Sequence, residues 1–276
     1  MTAPRFTLLT RLPPWARIAA GAAVVIITYA YLIATRPTSP HGVGGSAALL
    51  ALVGYLLGSV LIISGAMSKL TTSTVTLFPV AITINIVIGQ LVRISGLPVH
   101  LDSIGTVLVA VLAGPAAGAA AGALSSITVG MTINPGSLPY AVTAATIGLL
   151  AGTFARFGLF RRVPTVVLAG VLIGVVAGVV SAPITAFVFG NAGGSLGQSA
   201  FIATLQVYGN SMLEAASIQG LIADPLDKVV SCLIAYSVLV ALPPRLRQRF
   251  SFVREHSVFG IDRPAAVPPV RAEAVR

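Results

Sequence analysis

Long apolar runs, each closed by a short polar or Pro/Gly segment, set the pattern of this chain. They cover 17–35, 46–66, 75–92, 101–130, 139–155, 164–190 and 226–242. None alternates with period two, and all are rich in Ala, Val, Leu, Ile and Gly, so they predict helices rather than strands. Most approach the 20 or so residues that a helix needs to cross a hydrocarbon core of about 30 Å. Gly114-Pro115 divides 101–130 into two short helices, because proline starts a helix but does not sit well inside one. One segment, 199–222, is mixed. Its Gln206, Asn210 and Glu214 fall four apart and predict a polar stripe on one helix. That stripe either faces water from an interfacial helix or turns into a pocket, and spacing leaves the two open.

Composition pushes the reading into the membrane. Hydrophobic residues make up 56% of the chain and charged residues 9%, against about 25% charged in a soluble domain. Backbone polar groups in hydrocarbon must be satisfied internally, which helices do. The expected fold class is therefore an all-α integral membrane protein. The first run is too long for a typical signal-peptide core and lacks a small-x-small cleavage site, so it is expected to be retained.

The net charge of +10 does not point to nucleic acid once the charges are placed. Lys and Arg are retained on the cytoplasmic side of short loops. With the N-terminus inside and 199–222 not spanning, Arg5, Arg11, Arg17, Lys69, Arg156, Arg161, Arg162 and the seven arginines from Arg245 onward are all cytoplasmic. Both termini are then cytoplasmic, and the basic tail faces anionic inner-leaflet lipid. Its end, from about Arg254, is expected to be disordered. The four acids outside the tail, Asp102, Glu214, Asp224 and Asp227, gather on the external side with Arg93, His100 and Lys228.

Small residues four apart recur at Gly114/Gly118/Gly122, Ala144/Gly148/Gly152 and Gly170/Gly174/Gly178/Ala182. Such stripes let helix backbones approach closely and predict internal packing. Ala81, Asn85 and Gly89 form a similar face that carries a polar residue. It must meet protein, either this chain or a partner. No phosphate loop, HExxH pair or cytoplasmic acid pair is present, which argues against an enzyme. His41, His100 and His256 lack metal-ligand spacing, Cys232 has no partner for a disulfide, and no metal or cofactor is expected.

The run AITINIVIGQLVRISGLPVHLDSIGTVLVAVLAGPAAGAAAGALSSITVG resembles the substrate-binding S component of energy-coupling factor (ECF) transporters. So do SAPITAFVFGNAGG and GLIADPLDKVVSCLIAYSVLVALP. The likeness covers roughly 74–245. It implies a six-helix membrane core (73–245) preceded by an extension with two transmembrane helices (1–72) and followed by a basic tail (246–276). It implies a binding subunit for a vitamin-like or nucleoside-like small molecule in a bacterial cell membrane. Its partners would be an ECF T component and two ABC-type ATPases. The external pocket would lie under 95–103, 132–139 and 191–225, with Gln90, His100, Asp102, Asn134, Tyr140, Gln206, Asn210, Glu214, Asp227 and Lys228 as contacts. Family members dock the T component through a small-xxx-small face on the first core helix, which assigns Ala81, Asn85 and Gly89 to that interface. The Asn at 85 departs from the usual Ala-xxx-Ala. The alternative from another class is a membrane sensor or scaffold that signals through its cytoplasmic tail. A self-sufficient secondary transporter ranks third, since such proteins carry charges deep in their spans.

Overall fold

The computed structural model describes residues 12–35, 46–68, 70–97, 99–188 and 196–260. Among them every regular element is helical. In chain order these are α1 (Pro14–Thr35), α2 (Ser46–Met67), α3 (Leu77–Ile94), α4 (Ile104–Ala113), α5 (Pro115–Thr132), α6 (Ala141–Arg156), α7 (Val163–Pro183), α8 (Leu196–Val207), α9 (Met212–Ala241) and α10 (Ser251–His256), with single turns between some of them. Among the described residues four segments are long and apolar enough to cross a membrane: Pro14–Thr35, Leu49–Met67, Thr72–Ile94 and Val163–Val188. Ile104–Ala113 and Ala141–Arg156 are apolar but shorter. The linker at 36–45, Lys69, most of the glycine-rich loop after α7 and the tail beyond Gly260 lie outside the described residues.

At the centre stands α4, almost wholly buried, with α3, α5, α6 and α9 around it. Its end is set where the sequence places it. Gly114 takes φ +91°, a left-handed backbone that favours glycine, and Pro115 opens α5 at its first position.

The three small-residue stripes find their partners inside the chain. The stripe of α5 faces that of α6 in antiparallel register, so that a Cβ added at Gly118 would lie 2.5 Å from the Gly148 carbonyl oxygen. The stripe of α7 faces α9 in the same way, with Gly178 against Gly220. Any side chain at these positions would push the backbones apart. Pro183 interrupts the α7 ladder, and the chain continues as a π-turn at Ile184–Val188.

The N-terminal pair is braced on the core. Ile63 and Ala66 of α2 pack against alanines of α5 and α6, and α1 reaches α7, where the Tyr29 hydroxyl donates to the Val179 carbonyl at 3.5 Å.

Three expectations are corrected here. The segment 199–222 is not one helix: α8 ends at Val207, Gly209 turns the chain at φ +91°, and Ser211 starts α9. The last helix begins at Met212, not at 226, and runs through Pro225 over 30 residues. The glycine stripe of α7 packs against Gly220, Pro225 and Val229 of this helix. The tail, expected to be disordered, instead folds back up to residue 260: Val253, Val258 and Phe259 are buried, and Phe252 covers Gly114. Apolar residues among the arginines give this stretch a face to bury.

Candidate functional site

One end of the bundle gathers the C-termini of α3 and α5, the N-termini of α4 and α6, the π-turn after α7 and the middle of α9. The opposite end carries Arg156, Arg161, Arg162 and α10. Between the helices at the first end lies an open cavity of ≈ 1210 Å³, mouth included.

Its floor is built from side chains that tie helices together. Asn85 of α3 is 2% exposed. It donates to the Thr106 hydroxyl at 2.9 Å and the Ser125 hydroxyl at 3.2 Å, and its Oδ1 accepts the Gly105 N–H at 2.7 Å. Gly105 is in the first turn of α4, where backbone N–H groups lack helical acceptors. Ser103, at the N-cap, makes no side-chain cap. A neighbouring helix supplies the cap instead.

This revises the partner-interface assignment. The Ala81/Asn85/Gly89 face is turned inward: Gly105 packs against the Ala81 carbonyl, and Gly89 lies against Asp102.

Asp227 and Lys228 meet midway along α9. Lys228 forms ion pairs with Asp227 and, at 3.6 Å, with Asp102. Both are almost fully buried, whereas the Asp102 side chain is 57% exposed. The second function of Asp227 is structural. Its Oδ1 accepts the backbone N–H groups of His100 at 3.1 Å and Leu101 at 2.7 Å, which fastens the α3–α4 loop to α9.

Gln90, His100, Asp102, Asn134, Tyr140 and Lys228 of the ten expected site residues line the cavity. Tyr140 pairs with the Thr185 hydroxyl at 2.9 Å, and Asn134 caps its own turn by accepting the Gly136 N–H at 3.1 Å. Asp227 stands just behind the wall as the counter-charge of Lys228. The remaining three do not reach it. Gln206 is exposed on α8. Asn210 donates to the Leu205 carbonyl at 2.9 Å and closes the end of α8. Glu214 closes a capping box, its carboxylate accepting the Ser211 N–H at 2.8 Å while Ser211 Oγ accepts the Glu214 N–H at 3.3 Å. The Ser-x-x-Glu at 211–214 is a helix-start signature that the stripe reading passed over.

Lining residues outside the expected set include Asn85, Arg93, Thr143, Ser181, Thr185 and Asp224. Most are single polar residues inside apolar helices, and their cost in such a setting is the signal that marks them. In comparisons with known proteins, no family model, curated protein or solved structure matches this chain. The reading of function therefore depends on the site.

Proposed function

We propose that the chain is the membrane-embedded substrate-binding subunit of an ECF-type importer, capturing a vitamin-like or nucleoside-like small molecule. In this reading it spans a bacterial cell membrane with both termini in the cytoplasm, and the cavity opens outward. ATP hydrolysis belongs to two ABC-type ATPases, joined through a T component, and the chain itself catalyses nothing.

One observation carries the reading. SGLPVHLDS and DPLDK, from the stretches that bear the resemblance, and the loop TINPGSLP, under which the resemblance puts the pocket, each contribute to one polar cavity at one end of an apolar bundle. A small molecule in this cavity would meet apolar walls with a few oriented polar groups, as in small-molecule sites generally. The basic end and the folded tail stand at the other pole, where the positive-inside rule puts the cytoplasm.

The test is reconstitution. Co-expression with a T component and ATPases should yield a complex whose uptake stops when the ATPases are inactivated. A chain that binds no small molecule and recruits no ATPase would exclude the reading.

The sensor reading draws on the packed tail, where Arg161 donates to the Ser257 carbonyl at 3.2 Å and the His256 carbonyl at 3.4 Å. Arg161→Ala should leave uptake intact in an importer and blunt a cytoplasmic response in a sensor.

A further inference from the structure

Three carboxylates and one ammonium meet at the cavity. Among the described residues, Lys228 is the only cation within 4.0 Å of any carboxylate. Asp227 compensates it directly and spends Oδ1 on two backbone N–H groups. Asp102 holds the same ammonium at 3.6 Å. Asp224 lines the cavity one helical turn from Lys228, and its hydrogen bond from the Ser181 hydroxyl is long, at 3.4 Å. The three carboxylates and the ammonium carry a formal charge of −2. Of the other ionisable groups on the lining, Arg93 adds one positive charge and leaves a formal excess of one negative charge. Arg93 is exposed and makes no ion pair within 4.0 Å, and the Tyr140 hydroxyl is paired with Thr185.

A second observation at the same cavity points to an occupant. The Thr143 hydroxyl oxygen is buried without a hydrogen-bond partner on a residue only 7% exposed, and Thr143 lines the cavity wall. Few buried hydroxyls are left that way unless something else bonds them. Asp227 has an evident structural task, but Asp102 and Asp224 are left sharing a lysine already neutralised. Asp102 is largely solvated, but half-buried Asp224 is unfavourable in that condition until a counter-charge arrives.

We infer that the cavity takes a small molecule bearing a positively charged group, such as an ammonium, an amidinium or an aromatic cation. Asp224 and Asp102 are its counter-ions, and the Thr143 hydroxyl is a hydrogen-bond partner. This rests on the cavity being the substrate site, and adds the charge class of the substrate.

The experiment is titration calorimetry on the purified full chain with four probes of one size: benzamidinium, benzyltrimethylammonium, benzyl alcohol and benzoate. The two cations should bind at least about tenfold more tightly than the alcohol, and benzoate should not bind. Asp224→Asn should weaken the cations about tenfold or more without improving the alcohol, a loss of about 1.4 kcal/mol per tenfold. Asp102→Asn, at a largely exposed carboxylate, should weaken them severalfold and serves if the first variant does not fold. Thr143→Val should weaken them by a smaller factor. Failure of both cations to bind, equal binding of benzoate or the alcohol, or wild-type cation affinity in the Asp variants would overturn the inference. Cation binding without any energy-coupled uptake would instead sink the importer reading and leave the charge assignment standing. Coupled uptake of a neutral or anionic solute would do the reverse.

Discussion

Asp227 accepts a 2.7 Å hydrogen bond from the backbone N–H of Leu101, a residue 126 positions earlier in the chain. Leu101 has φ +45°, a conformation that non-glycine residues seldom adopt. The carboxylate holds that loop in place and at the same time neutralises buried Lys228. Asp227→Ala removes both functions and leaves a buried ammonium poorly compensated. The expected loss is about 3–5 kcal/mol, typical of breaking one side of a buried ion pair. Thermal unfolding of the detergent-solubilised variant would measure it, and a melting temperature equal to wild type would refute the anchoring role.

Asn85 joins α3 to α4 and α5 through three bonds. Truncation to alanine strands the Gly105 N–H at a buried helix start, at a cost of about 1–3 kcal/mol. Asn85→Ala should therefore lower stability even in the absence of partner proteins. If its only effect were weaker assembly with a partner, the inward assignment of this face would be wrong.

Gly148 meets Gly118 backbone to backbone. Gly148→Val forces α5 and α6 apart, and overpacking of this kind costs about 1–3 kcal/mol. An exposed apolar position such as Leu149, 48% exposed on the same helix, should accept Leu149→Val with little change. Parallel melting curves of the two variants would separate packing from composition.

The folded tail is testable at Val253, which is fully buried against the bundle. Val253→Asp places a charge there without a partner and should cost about 2 kcal/mol or more. Limited proteolysis gives an independent readout: cleavage near residue 250 should accelerate in the variant and not in wild type.

The proposed orientation can be tested at two exposed residues at opposite ends, Tyr208 (81% exposed) and Phe157 (72% exposed). Cys232 is buried and should stay silent to thiol reagents until the protein unfolds. In intact cells a membrane-impermeant maleimide should label Tyr208→Cys and spare Phe157→Cys. The opposite result would invert the proposed topology.

The cavity was legible in the sequence where polar residues flank a helix end, as with His100, Asp102 and Tyr140. It was not legible where a residue's part depends on a distant neighbour. Asn85 reads as a docking residue until Gly105 is seen across from it. Gln206, Asn210 and Glu214 read as a stripe, but four-residue spacing is meaningful only within one helix, and α8 ends at Val207, Gly209 turns the chain and Ser211 starts α9.

By itself, the sequence determined the apolar runs, the break at Gly114-Pro115 and the small-residue stripes. Those features are local, set by hydrophobicity and by the steric limits of Gly and Pro. Only the tertiary structure decided which stripe meets which, that Asp227 anchors the loop before α4, and that Asp102, Asp224 and Lys228 share one cavity. Such pairings join residues far apart in the chain. They are chosen by the packing of whole helices, and spacing along one helix carries no record of the helix it will face.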